Sequence, residues 1–206
     1  MGLSAKLWQS NRDLALASLH SAFVRGLTDG SLPRERFAFY LGQDAFFLEA
    51  FARAYSIAAG RAPDHEGFGE FHLLAGGVLE ELKLHQQYAA TWGVDLQASQ
   101  PGPATRRYTD FLLATAWQHP VGLTAAAMTP CMRLYAFIGQ ELARGGIPEH
   151  TYANWIRTYS APEFEALALR LEQLVDRYAE DTPLARDYYR YALECERDFF
   201  NAALAE

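Results

Sequence analysis

The chain has 206 residues, half of them hydrophobic and 14% aromatic, which supports one packed core and excludes bulk disorder. A formal charge of −7, with Lys and Arg scattered, excludes a surface built to grip phosphate backbones, so no nucleic-acid partner is expected. Two cysteines, Cys131 and Cys195, exclude a disulfide scaffold and a Cys-rich zinc site, and they point to a reducing, cytoplasmic setting. The amino terminus, MGLSAKLWQSNRD, turns polar at once and does not read as a signal peptide. No apolar run approaches the roughly 18 residues of a membrane span, so no membrane partner is expected.

Apolar residues recur at three- and four-residue spacing throughout, and no segment alternates strictly, so the fold is predicted to be all-α. The first helix is expected over 4–27, with Leu7, Trp8, Leu14, Leu19 and Phe23 near one stripe. After the turn at Asp29-Gly30, Ser31 is placed to cap a second helix, with Pro33 in its first turn, reaching about Ala59. Asp64 caps a third helix ending near Trp92. Its interior Gly76-Gly77 signals either a break or the close approach of another backbone. The longest polar loop runs from Gly93 to Pro103. Helices follow at about 104–118, 120–144, 148–159, 161–179 and 182–205, punctuated by Pro120, Gly145-Gly146, Pro148, Pro162 and Pro183. No linker divides the chain, so 1–206 is read as one domain.

Several side chains stand out chemically. Cys131 follows Pro130, which either kinks a helix or starts one afresh, with Thr129 as cap. A fresh start would put the sulfur in a first turn, where the helix dipole favours a thiolate. A buried, inert thiol is the alternative. Tyr135, four residues on, shares the cysteine's face. Asp44 lies on an aromatic stripe with Tyr40, Phe47 and Leu48, where a carboxylate needs either a core Arg or a ligand. Glu196 sits similarly with Tyr189, Phe199 and Phe200, although Glu194, Arg197 and Asp198 allow a solvated rim instead. Glu81 and His85 have metal-ligand spacing, but no second Glu/His pair completes a dinuclear centre, so no metal is expected. His20, alone on the first helix, reads as a satisfied core residue rather than a haem ligand. There is no G-x-S-x-G elbow, dinucleotide fingerprint or Walker loop.

Taken in order, these segments resemble the TenA / thiaminase II family. The resemblance rests on Gly26-Leu27-Thr28-Asp29-Gly30-Ser31-Leu32-Pro33, Arg36-Phe37, Tyr40-Leu41-Gly42-Gln43-Asp44 and Leu84-His85. It continues through Thr129-Pro130-Cys131 with Tyr135, Trp155-Ile156 with Thr158-Tyr159, and Glu196 with Phe199-Phe200. It spans nearly the whole chain.

The resemblance implies a haem-oxygenase-like helical bundle without haem or other cofactor, usually a homotetramer. It implies a small-molecule aminopyrimidine substrate: 4-amino-5-aminomethyl-2-methylpyrimidine would be hydrolysed to the hydroxymethyl compound and ammonia in thiamin salvage. Some members also cleave thiamin. Carried over by position, Cys131 matches the nucleophile and Glu196 the acid that bonds a ring nitrogen. Asp44 matches the carboxylate that binds the exocyclic amine. Tyr135 and Phe199 match the aromatics that sandwich the ring, and Tyr108 and Tyr159 match the phenols lining the pocket. One departure concerns nucleophile activation: Phe47 stands where many members carry Tyr, keeping the ring and lacking the donor. Phe200 stands where Trp is common. Two rival readings share the fold. One is a non-catalytic heterocycle-binding protein that uses Cys131 only for packing, and the other is a metal- or haem-dependent oxidase.

Overall fold

A computed structural model describes residues 1–96 and 98–205; the side chain of Leu84 lies outside the described set. Ten helices account for the described secondary structure: α1 (Leu3–Ser10), α2 (Arg12–Leu19), α3 (Ala22–Asp29), α4 (Arg34–Arg61), α5 (His65–Thr91), α6 (Pro103–Gln118), α7 (Val121–Ala143), α8 (Ala153–Ser160), α9 (Pro162–Tyr178) and α10 (Pro183–Ala205). Among the described residues there is no strand.

The amino-terminal segment corrects the expectation of one helix over 4–27. It is three short helices, because Asn11 leaves helical geometry at φ −120° and Ser21 caps a new start by accepting from the Val24 N–H. His20 falls in the second break and is exposed, so it is neither a core residue nor near the interior. Ser31 does not cap α4. Its N–H donates to Asp29, and α4 begins behind Pro33. Asp64 does cap α5, accepting from the Gly67 N–H at 2.8 Å. Gly76-Gly77 brings neither a break nor a backbone contact. The helix runs straight through, and nothing lies within 4 Å of the space a Cβ would fill. The segment expected to begin a helix at 148 turns first and becomes helical only at Ala153.

α7 is the axle of the bundle. Its residues from Val121 to Gly139 are buried except Arg133, and it packs on α8, α9 and α10. It has 23 residues, and an 18-residue window of it reaches a mean hydropathy of 1.3, long and apolar enough to cross a membrane, contrary to the expectation that no such run exists; the whole window is buried in the protein. Arg133 is tolerated there because two α9 carboxylates complete it: Glu165 accepts from Nη1 at 2.8 and 2.9 Å, and Glu172 from Nε at 2.8 Å. Gly139 lets α8 approach, since a Cβ there would collide with the Tyr159 carbonyl carbon. That contact sets Tyr159 beside Tyr135, with ring centroids 4.7 Å apart.

Candidate active site

The polar groups converge because a four-residue period carries them to one face of each helix. On α4, Asp44, Phe47, Leu48, Phe51 and Tyr55 all look inward; Cys131 and Tyr135 do so on α7, Tyr159 on α8 and Glu81 on α5. Together they line a cavity of about 470 Å³ between α4, α5, α7, α8 and α9. Pro130 lies inside a continuous helix, so Cys131 has no helix N-terminus beside it; Thr129 donates back to the Ala125 carbonyl at 2.8 Å instead of capping. Of the two readings of Pro130, the fresh start is therefore overturned, and so is activation of the thiol by a helix dipole.

What stands behind the thiol is Glu196. It is 1% exposed on α10, which removes the solvated-rim alternative. Its Oε1 accepts from the Tyr108 hydroxyl at 2.8 Å, and its carboxyl also accepts a hydrogen bond from Cys131. Burial pushes Glu196 up to about 7, opposed by the hydrogen bonds from Tyr108 and Cys131. Burial also pushes the Cys131 thiol well above its usual range, and the Glu196 charge adds to that. Both cysteines are free and buried. Cys195 is not on the cavity wall, and burial raises it to about 11.

Asp44 has no core Arg. Its Oδ2 lies 3.5 Å from His85 Nδ1, while His85 Nε2 donates to the Leu41 carbonyl at 2.9 Å. That second bond fixes the imidazole with its Nδ1 edge toward the carboxyl. Burial raises Asp44, and His85 opposes the rise. The neighbouring Gln43, equally buried, is spent on structure: it accepts from the Gly102 N–H and the Thr105 hydroxyl, at 2.8 and 2.7 Å. The carboxylate of Asp44 remains on the cavity wall.

Aromatic rings fill the rest. Tyr40 accepts from Trp155 Nε1 at 3.4 Å and lies 3.2 Å from the Tyr135 hydroxyl, a chain that ends at the wall. Phe47 lies on the wall, stacked on Phe51 at 5.0 Å. Tyr108, Glu196 and Phe199 lie one layer back: Tyr108 packs 4.9 Å and Phe199 6.2 Å from the Phe47 ring. Of the eight residues singled out in the sequence, Asp44, Phe47, Cys131, Tyr135 and Tyr159 therefore face the cavity, and the other three back it. Three wall or near-wall residues were missed by the sequence reading. His85 and Glu81 carry a signal, their i, i+4 spacing, which points to a metal pattern; His85 also belongs to the family resemblance, but neither is assigned a place in the site by it. Tyr55 carried one too, extending the Phe47–Phe51 stripe by another turn. Among the described residues, no three His, Cys, Asp or Glu side chains group in a metal-holding arrangement.

This bundle, closed around a central axle helix, is a haem-oxygenase-like fold. Haem oxygenase-1 of Synechocystis superposes with a TM-score of 0.64 at 15% identity, covering 98% of this chain and 92% of that one. Within that fold the chain belongs to the TENA/THI-4/PQQC family, whose model matches residues 8–206. A TenA family transcription regulator from Silicibacter superposes with a TM-score of 0.92 at 27% identity, covering 100% and 98% of the two chains. The thiamine biosynthesis multifunctional protein ThiED of Corynebacterium efficiens is 36% identical over 203 residues, 96% of this chain. The chain spans only 28% of that protein's length. The aminopyrimidine aminohydrolase of Halalkalibacterium halodurans is 32% identical over 188 residues, 87% of this chain and 83% of its own.

Proposed function

We propose that the protein is an aminopyrimidine aminohydrolase that converts an aminomethylpyrimidine to the hydroxymethyl compound and ammonia, within thiamin salvage. The observation that carries this reading is the Cys131–Glu196–Tyr108 hydrogen-bonded series ending at a cavity whose wall also presents Asp44. Relatives named for aminopyrimidine hydrolysis and thiamine biosynthesis support it.

A raised thiol is a poor nucleophile until a base takes its proton. Glu196, poised near 7, is that base. Sulfur adds to a ring carbon as Glu196, behind it, takes the thiol proton, and a ring nitrogen takes a proton from water on the cavity side, so the ring accepts the sulfur's electrons without building up charge. Return of the nitrogen's electron pair expels ammonia from the protonated arm. Water then adds to the methylene carbon, releasing a proton, and departure of sulfur restores the aromatic ring and the thiol. Asp44 binds the amine on the ring and fixes its orientation, with His85 holding the carboxyl in place. Tyr135, Tyr159 and Phe47 enclose the flat ring, with Phe199 and Tyr108 packed behind.

A cytoplasmic homotetramer is the assembly this reading favours. Exposed Phe68, Leu73 and Leu79 on α5, with Leu167 and Leu169 on α9, give such an assembly apolar surface to bury. Ammonia release from the aminomethylpyrimidine, measured for the parent and for Cys131→Ser, tests the chemistry. Turnover by the parent, with the variant at least about a hundredfold slower, is expected. Equal binding by both proteins with turnover by neither would leave the non-catalytic binding reading in its place.

A further inference from the structure

We propose that Glu81 binds the positively charged arm of the substrate, an ammonium on the ring's methylene substituent, and thereby separates the cationic substrate from the neutral alcohol product. This rests on the pyrimidine reading of the cavity. A second chamber of about 380 Å³, walled in part by Tyr40, Tyr88 and Trp155, adjoins the first. Glu81 and Asp44 are the two carboxylates common to both walls, so Glu81 stands at the seam where an arm leaving the ring would pass. Its neighbours are accounted for. Asp44 has His85, and Glu196 has Tyr108 and Cys131. The cations at the outer rim are paired as well, Lys83 with Glu80 at 2.7 Å and Arg170 with Glu70 at 3.2 Å.

Among the described residues, none donates a hydrogen bond to Glu81, and the one group that offsets its burial, His85, is already engaged by Asp44 and the Leu41 carbonyl. A carboxylate drawn away from water without a partner is costly, and a site keeps one where a ligand completes it. Burial, together with the Asp44 charge, raises Glu81 to about 7, with His85 opposing the rise. An incoming ammonium reverses both influences, whereas a hydroxyl supplies no charge. The same ammonium must stay protonated to depart as ammonia, so the carboxylate that selects it also keeps it ready to leave.

Calorimetric titration in a Cys131→Ser background, where turnover is blocked, compares the aminomethyl and hydroxymethyl pyrimidines. Adding Glu81→Gln should weaken the aminomethyl compound by at least about tenfold and the hydroxymethyl compound by less than about twofold, the difference one charge-assisted bond makes. Glu81→Asp, which keeps the charge on a shorter stem, should fall between. Equal losses for both compounds, or no loss for either, would overturn the assignment. Binding of neither compound by the Glu81-bearing protein would instead overturn the pyrimidine reading and this inference with it. Because no described residue hydrogen-bonds Glu81, the Gln variant should fold, and its melting temperature at pH 8 should be no lower than the parent's.

Discussion

The Cys131 thiol donates to the Glu196 carboxyl, and Tyr108 grips the far side of the same carboxyl at 2.8 Å. The sulfur faces the cavity and the carboxyl does not. The base is thus shielded from bulk water by the group it must deprotonate, and this geometry dictates how the site should respond to pH and to substitution.

The first consequence is kinetic. Glu196 must be ionised to take the thiol proton, and it titrates at about 7. kcat/KM should therefore fall as pH drops below about 7. Glu81, also at about 7, contributes a second ionisation to the same limb. A pH profile of the parent should approach a slope of two, and Glu81→Gln should reduce it to one. A flat profile between pH 5 and 8 would remove Glu196 as the base.

The second concerns stability. Glu196 is raised in the folded protein above the value near 4.5 of an unfolded chain. Its contribution to stability is then fully present below that unfolded value and is lost as pH rises through about 7. The loss is on the order of 3 kcal/mol from the size of the shift. Glu196→Gln carries no charge to desolvate and keeps an acceptor for Tyr108. It should raise the melting temperature at pH 8 and change it little at pH 4, as read by scanning calorimetry at the two pH values.

Asp44→Ala should weaken substrate binding and not merely slow the chemistry, because its carboxylate reaches the cavity while its protein partner, His85, sits at a long 3.5 Å. Titration of the neutral hydroxymethylpyrimidine measures this directly. Unchanged affinity would mean that Asp44 serves His85 and not the ligand.

Phe47→Tyr should leave activity equal or higher, since it adds a hydroxyl to a ring already on the wall. A large loss in kcat/KM would show that the packing of Phe51 and Tyr108 about this ring leaves no room for the added oxygen.

Arg133→Met should destabilise the fold by roughly 3 kcal/mol, because Glu165 and Glu172 would be left charged beside the core helix. Denaturant unfolding checks this, and the loss should shrink when both glutamates are also changed to Gln.

The helical character of the chain, the lengths of α4, α6, α7, α9 and α10, and the shared faces of Asp44 with Phe47 and of Cys131 with Tyr135 were legible from spacing, because a 3.6-residue period is local. The short helices at the amino terminus were not. The apolar stripe continues through Asn11 and His20, and only side-chain and backbone bonds made on folding decide where the chain turns. The local pattern equally could not say whether Pro130 restarts a helix, since packing of α7 on all sides holds one helix together through it.

Sequence by itself determined which residue types lie on which helical faces, and order along the chain identified the family's cast: the sulfur, two acids and a set of rings. Only the tertiary structure decided that Glu196 belongs to Cys131, that His85 belongs to Asp44, and that no described residue donates a hydrogen bond to Glu81. Those pairings join side chains on different helices, and they depend on burial. The same carboxyl is an ordinary surface charge in water and a proton acceptor near neutrality once the bundle closes around it.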